Sequence, residues 1–170
     1  MQLIETIEVG SGGAASIEFT GIPQDGVDLL VVLSGRSNRN FQIDYISITL
    51  NADTVSTNYT RRFLVGDSTT ATSVSGSDQL LGYGINGATS LANTFGNASI
   101  HISNYTSGTA KSISADVVQE NNTSAQFYAY QTIVASSYSG TSAITQLLLK
   151  PGVGAFVQYS TASLYKITAD

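Results

Sequence analysis

Few side chains in this sequence could do chemistry, and their spacing excludes most of what they could do. His101 is the one histidine and there is no cysteine. It stands between Ile100 and Ile102, so in an alternating strand it points away from the core beside Ser99 and Ser103. A zinc site or a nucleophile–histidine pair needs partners that this setting lacks. The acids are scattered. Asp25 and Asp28 flank Gly26, and Asp67 follows Gly66, positions where aspartate commonly shapes a turn. A glycosidase would need two carboxylates about 5–10 Å apart across a cleft, and nothing marks such a pair. The calcium-loop pattern of alternating Asp and Asn before a glycine is absent. Gly10-Ser11-Gly12-Gly13 lacks the following Gly-Lys-Ser/Thr of a phosphate loop and reads as a hairpin turn. The expectation is a non-enzymatic chain with no cofactor and no metal.

The cations are less evenly spread. Arg36, Arg39, Arg61 and Arg62 are four of the seven Lys and Arg residues, within 27 positions of one another. They could pair with nearby acids such as Asp44, Asp53 or Asp67. Alternatively, they could form bidentate bonds to an acidic partner, which makes them the candidate partner-binding residues. Arg61 and Arg62, being adjacent in a strand, face opposite sides. Nine tyrosines, against no tryptophan, suit sugar-binding surfaces, protein interfaces or simply sheet margins.

The net charge of −5 and pI near 4.6 argue against a nucleic-acid partner, which needs a clustered positive surface. No run approaches the 18 apolar residues of a membrane-spanning helix, so no membrane partner is expected. The opening Met-Gln-Leu-Ile-Glu-Thr-Ile-Glu carries acids where a secretory signal carries bases. The expectation is synthesis in a cytoplasm without a signal peptide. Only 11 % of residues are charged, while 23 Ser and 19 Thr supply small hydroxyls. A surface built from hydroxyls is wet yet weakly repulsive, and it can pack closely against neighbours.

The elements that must position these residues are strands. Amphipathic helix periodicity is nearly absent, whereas short β-branched and aromatic segments recur between Gly, Asn, Asp and Ser. Residues 3–9, 16–20, 27–34, 45–50 and 58–65 read as strands. Residues 27–34 are almost continuously apolar, which predicts a central strand covered on both faces. Residues 45–50 alternate, with Ile46, Ile48 and Leu50 inward. Residues 97–104, 111–120, 126–135 and 144–150 follow, with turns at Ser107-Gly108-Thr109, Asn121-Asn122 and Ser139-Gly140-Thr141. Residues 155–167 change phase near Ser160-Thr161, as at a bulge or a boundary between two strands. Residues 66–94 are rich in Ser, Thr and Gly and read as a long surface excursion with at most one short strand. The whole predicts one domain over 1–170, an all-β antiparallel β-sandwich of jelly-roll type with about 9–11 strands. With few Lys or Pro to guard the sheet edges, a homo-oligomer, trimer or dimer, is expected.

Several stretches also resemble a group of small virion proteins of tailed phages, including cyanophages. These are Ile4-Glu5-Thr6-Ile7 with Ser16-Ile17-Glu18-Phe19, Gly21-Ile22-Pro23-Gln24 leading into Asp28-Leu29-Leu30-Val31-Val32, and Arg36-Ser37. Further matches are Tyr59-Thr60-Arg61-Arg62-Phe63-Leu64-Val65-Gly66-Asp67, Asn93-Thr94-Phe95-Gly96-Asn97-Ala98-Ser99-Ile100, and the stretch from Gly154 to Tyr165. The resemblance implies a jelly-roll structural protein exposed on the virion, either a capsid decoration (cement) protein or a tail-fibre module. It transfers no functional residues. A fibre subunit usually adds an attachment segment or repetitive shaft, and strands here begin by residue 3 and end near the last residue. That favours decoration, with the major capsid protein as partner. The alternative is a tail-fibre or host-recognition module binding cell-surface carbohydrate.

Overall fold

A computed structural model describes residues 1–67, 69–120 and 129–169. Twelve strands run Gln2–Glu8 (β1), Ile17–Thr20 (β2), Asp28–Gly35 (β3), Ile43–Leu50 (β4), Tyr59–Gly66 (β5), Ala71–Gly76 (β6), Leu80–Asn86 (β7), Gly96–Ile102 (β8), Lys111–Gln119 (β9), Tyr130–Tyr138 (β10), Gln146–Pro151 (β11) and Thr161–Ile167 (β12). They form an eight-stranded sheet in the order β1-β12-β3-β8-β9-β10-β5-β6 and a four-stranded sheet in the order β2-β11-β4-β7. Every strand pairing is antiparallel. The chain crosses repeatedly from one sheet to the other, and the result is an antiparallel β-sandwich of jelly-roll type.

The alternation in the sequence becomes the core. Ile46, Ile48 and Leu50 of β4 are fully buried, in one core with Leu29, Val31 and Leu33 of β3 and Ile100 and Ile102 of β8. Burying a side chain of this size contributes about 1.5–3 kcal/mol, so these inward rows dominate the stability. The phase change near Ser160-Thr161 marks the start of β12, and Tyr159 just before it has φ of +70°.

Three expectations are corrected. The first concerns residues 66–94, which are not one surface loop: they hold two strands. β6 pairs in unbroken register with β5, from Arg61↔Gly76 to Gly66↔Ala71. β7 lies in the sandwich, with Leu81 and Ile85 fully buried. The glycines that read as turn signals let β7 settle onto the large sheet. A Cβ at Gly84 would come within 2.1 Å of Val117, and one at Gly82 (φ +97°) within 2.7 Å of Thr132. The second is that the described residues hold twelve strands against the expected about 9–11, chiefly because β6 had no hydrophobic signal. The third is that β3 is central but covered on one face only, since Val32 is 45 % exposed. The expected turn at Asn121-Asn122 and residues 126–128 of the expected strand 126–135 lie outside the described residues.

Candidate functional site

The four candidate arginines separate sharply. Arg36 is buried near the end of β3. Its guanidinium donates to the carbonyls of Leu91 (2.8 Å), Thr94 (2.9 Å), Ser90 (3.1 Å) and Ala88 (3.2 Å). The loop after β7 is thus folded around one cation, and burial lowers that group's pKa. Arg39 reaches the Asp44 carboxylate at 3.4 Å and lies over the rings of Phe41 and Tyr45. Asp44 is fully buried, and desolvation raises its pKa against the hydrogen bonds that lower it. Arg61 grips Asp78 with two bonds, 2.5 and 2.9 Å, and stacks over Phe63. Of the four candidate partner-binding residues, three are engaged within the chain. Arg36, Arg39 and Arg61 direct their donors inside the chain, because backbone carbonyls or a carboxylate lie within reach. Arg62 alone projects to solvent, and among the described residues no ion pair engages it.

Of the acids named as pairing partners, only Asp44 meets an arginine. Asp53 accepts from Asn58, Val55 N–H and the Tyr138 hydroxyl. Asp67 caps its own turn, accepting from the amides of Thr70 (2.7 Å) and Thr69 (3.1 Å), bonds that hold its pKa down at about 2. Asp25 binds Lys166, and Asp28 binds His101 at 3.1 Å, so the one histidine is an outward residue paired across two strands.

Two outer surfaces remain. The first is the outer face of the large sheet, about 34 Å wide from seven strand spacings of roughly 4.8 Å. One row crosses it in register: Leu64 beside Ile133, then Asp116, Ser99, Val32 and Ser163. Leu64 and Ile133 are each 55 % exposed, and Leu3 at the β1 end is 50 % exposed. The outward ionisable side chains on this face include Asp28, His101, Asp116 and Arg62, and Asp28 bonds to His101. The rest is mainly Ser, Thr, Asn and aliphatic side chains. Sequence reasoning missed this face. The signal was present in residues 27–34, whose continuous apolar run gave β3 more hydrophobic surface than the fold covers.

The second surface is the outer face of the small sheet. A depression of about 360 Å³ lies among Ser47, Asp78, Gln79 and Lys150, and one of about 370 Å³ among Ser16, Gln146 and Leu148. Both share Thr49, Thr54 and Lys150. Beside them Tyr45 and Tyr83 lie 4.5 Å apart by ring centroid, with hydroxyls 3.1 Å apart, and Tyr83 stacks on Tyr130 at 4.9 Å. Burial and the Tyr83 hydroxyl push the Tyr45 phenol up to about 12, so it is a neutral hydrogen-bonding group.

No known family model matches the chain, and no curated protein matches it. Solved structures align with it at low identity and low TM-score. An exo-inulinase from Aspergillus awamori aligns at 16 % identity and TM-score 0.38, over 99 % of this chain and 29 % of the enzyme. The galectin LEC-6 of Caenorhabditis elegans aligns at 10 % identity and TM-score 0.33, over 94 % of this chain and 95 % of its own. The Ruminococcus gnavus IT-sialidase CBM40 bound to α2,6-sialyllactose aligns at 8 % identity and TM-score 0.30, over 99 % and 93 %.

Proposed function

We propose that the chain is a non-enzymatic phage virion protein, a capsid decoration (cement) protein that docks on the major capsid protein and stabilises the head. The observation that carries this reading is the outer face of the large sheet. It is broad, weakly charged, and studded with aliphatic side chains that the fold leaves uncovered. Sheet faces that meet only water usually alternate polar residues outward, whereas contiguous exposed apolar groups mark an interaction surface, and Leu64 and Ile133 are direct neighbours on this face. Ser and Thr between them add hydrogen-bonding groups without the desolvation cost of charges. Binding the assembled shell and not its loosened form favours the shell by linkage. Gold-labelled antibody on intact particles, viewed by electron microscopy, tests the reading. Label spread over the head is expected, and label confined to the tail would overturn it.

The small-sheet depressions favour a second reading, a tail-fibre or host-recognition module that binds cell-surface carbohydrate. Hydroxyl, amide and charged groups flank a tyrosine pair there, which suits a sugar's mixed apolar and polar faces. Saturable binding on a glycan array, lost in both Tyr83→Ala and Lys150→Ala, would carry this reading instead.

A further inference from the structure

The four sheet edges are defended unequally. β1 carries Glu5 and Glu8, and its register with β12 is broken between Leu3 and Glu5. β2 has four residues and includes Glu18. β7 pairs irregularly with β4 and is pressed onto the large sheet through Gly82 and Gly84. Charge, shortness, irregularity and covering are the devices that blunt an edge. Among the described residues β6 has none of them. Its sequence Ala-Thr-Ser-Val-Ser-Gly holds no charge and no proline, five of its six residues are exposed, and its register with β5 is unbroken.

The turn before β6 fixes which backbone groups face outward. The Asp67 N–H donates to the Thr70 carbonyl at 3.1 Å, so that pair is a hydrogen-bonded one. Such pairs alternate along an antiparallel ladder. Thr72, Val74 and Gly76 therefore direct their backbone groups to β5, and Ala71, Ser73 and Ser75 direct theirs away from it.

We propose that β6 pairs antiparallel with β6 of a second copy, across a two-fold axis at Ser73, joining two large sheets edge to edge. The register follows from the outward groups. Ser73 opposite its own counterpart sets Ala71 opposite Ser75 on both sides of the axis. That gives three hydrogen-bonded pairs of two bonds each, about six bonds in all. Moving the axis to Val74 pairs Ser73 with Ser75 and leaves Ala71 out. A neutral strand of small side chains meets its own copy without repulsion, and a two-fold contact closes on itself rather than growing into a fibre. The axis is perpendicular to the sheet, so both outer faces lie on one side. Leu64 neighbours Ser73 and Ile133 neighbours Leu64, so the pairing gathers four aliphatic side chains at the middle of the joint face. The inference stands apart from the identity of whatever that face binds.

The chain has no cysteine, so a Ser73→Cys variant carries one thiol. Residues opposite each other in a hydrogen-bonded pair lie about 5.5 Å apart by Cα, within disulfide reach. Under mild oxidation Ser73→Cys is expected to form a covalent dimer of twice 17.8 kDa far faster than Ser99→Cys in the middle of the same face. In Ser73→Lys two ammonium groups meet at the axis, and the dimer is expected to dissociate at severalfold lower dilution, while the thermal midpoint at dilutions where both proteins are monomeric stays unchanged. Sedimentation at 17.8 kDa at every concentration would overturn the proposal. So would a dimer in which Ser73→Cys cross-links no faster than Ser99→Cys.

Discussion

The corner around β7 and the outer face of the large sheet treat their side chains in opposite ways. At the corner, a buried guanidinium is matched to four carbonyls, Arg61 to Asp78, and two glycines to the side chains that press on them. On the outer face, Leu64, Ile133 and Val32 are each about half exposed to water. Matched polar groups hold the fold, whereas unmatched apolar groups do nothing for it. The difference teaches that Arg36, Arg39 and Arg61 belong to the architecture, whereas the face leaves apolar side chains exposed.

Breaking the corner has the largest expected effect. In Gly84→Ala the new methyl lies 2.1 Å from Val117 and 3.3 Å from Ile46, so β7 must lift. A loss of about 3 kcal/mol by urea denaturation is expected, at the upper end of overpacking costs. Arg36→Met keeps the stem but leaves carbonyls of the 88–94 loop without donors, a loss of about 2–3 kcal/mol. Arg62→Ala sharpens the comparison by contrast, with a change within about 0.5 kcal/mol. Equal losses for Arg36→Met and Arg62→Ala would erase the distinction between interior and surface cations. The smallest effect is in acid. Asp67 has a folded pKa of about 2, below its unfolded value, so its stabilisation is full above about pH 4 and is lost as pH falls toward 2. In Asp67→Asn the stability lost between those pH values should be smaller, as read from denaturation midpoints.

Legibility in the sequence followed burial. β4 and β8 alternate inward Ile, Leu and Ala with polar residues, and their faces were assigned correctly because period two has one solution. β6 was invisible because its residues are small and nearly all exposed, and only register with β5 makes them a strand. β7 was misread because Gly82 and Gly84 serve close approach rather than turning. Of the candidate site, the sequence located the arginines but not their partners. Asp78 reaches Arg61 only because the β5–β6 hairpin folds back, and the carbonyls that hold Arg36 carry no sequence signal. The exposed apolar face was hidden for a different reason: an exposed Leu64 or Ile133 looks like a core residue until the sheet shows which side it takes.

The most direct measurement is co-sedimentation with phage heads of the double variant Leu64→Lys/Ile133→Lys, beside Lys150→Ala on the small sheet. Both variants are expected to melt as the parent does. The double variant should stay in the supernatant while Lys150→Ala pellets with the heads. Pelleting of the double variant, with loss of binding in Lys150→Ala, would contradict the account and move the working surface to the small sheet.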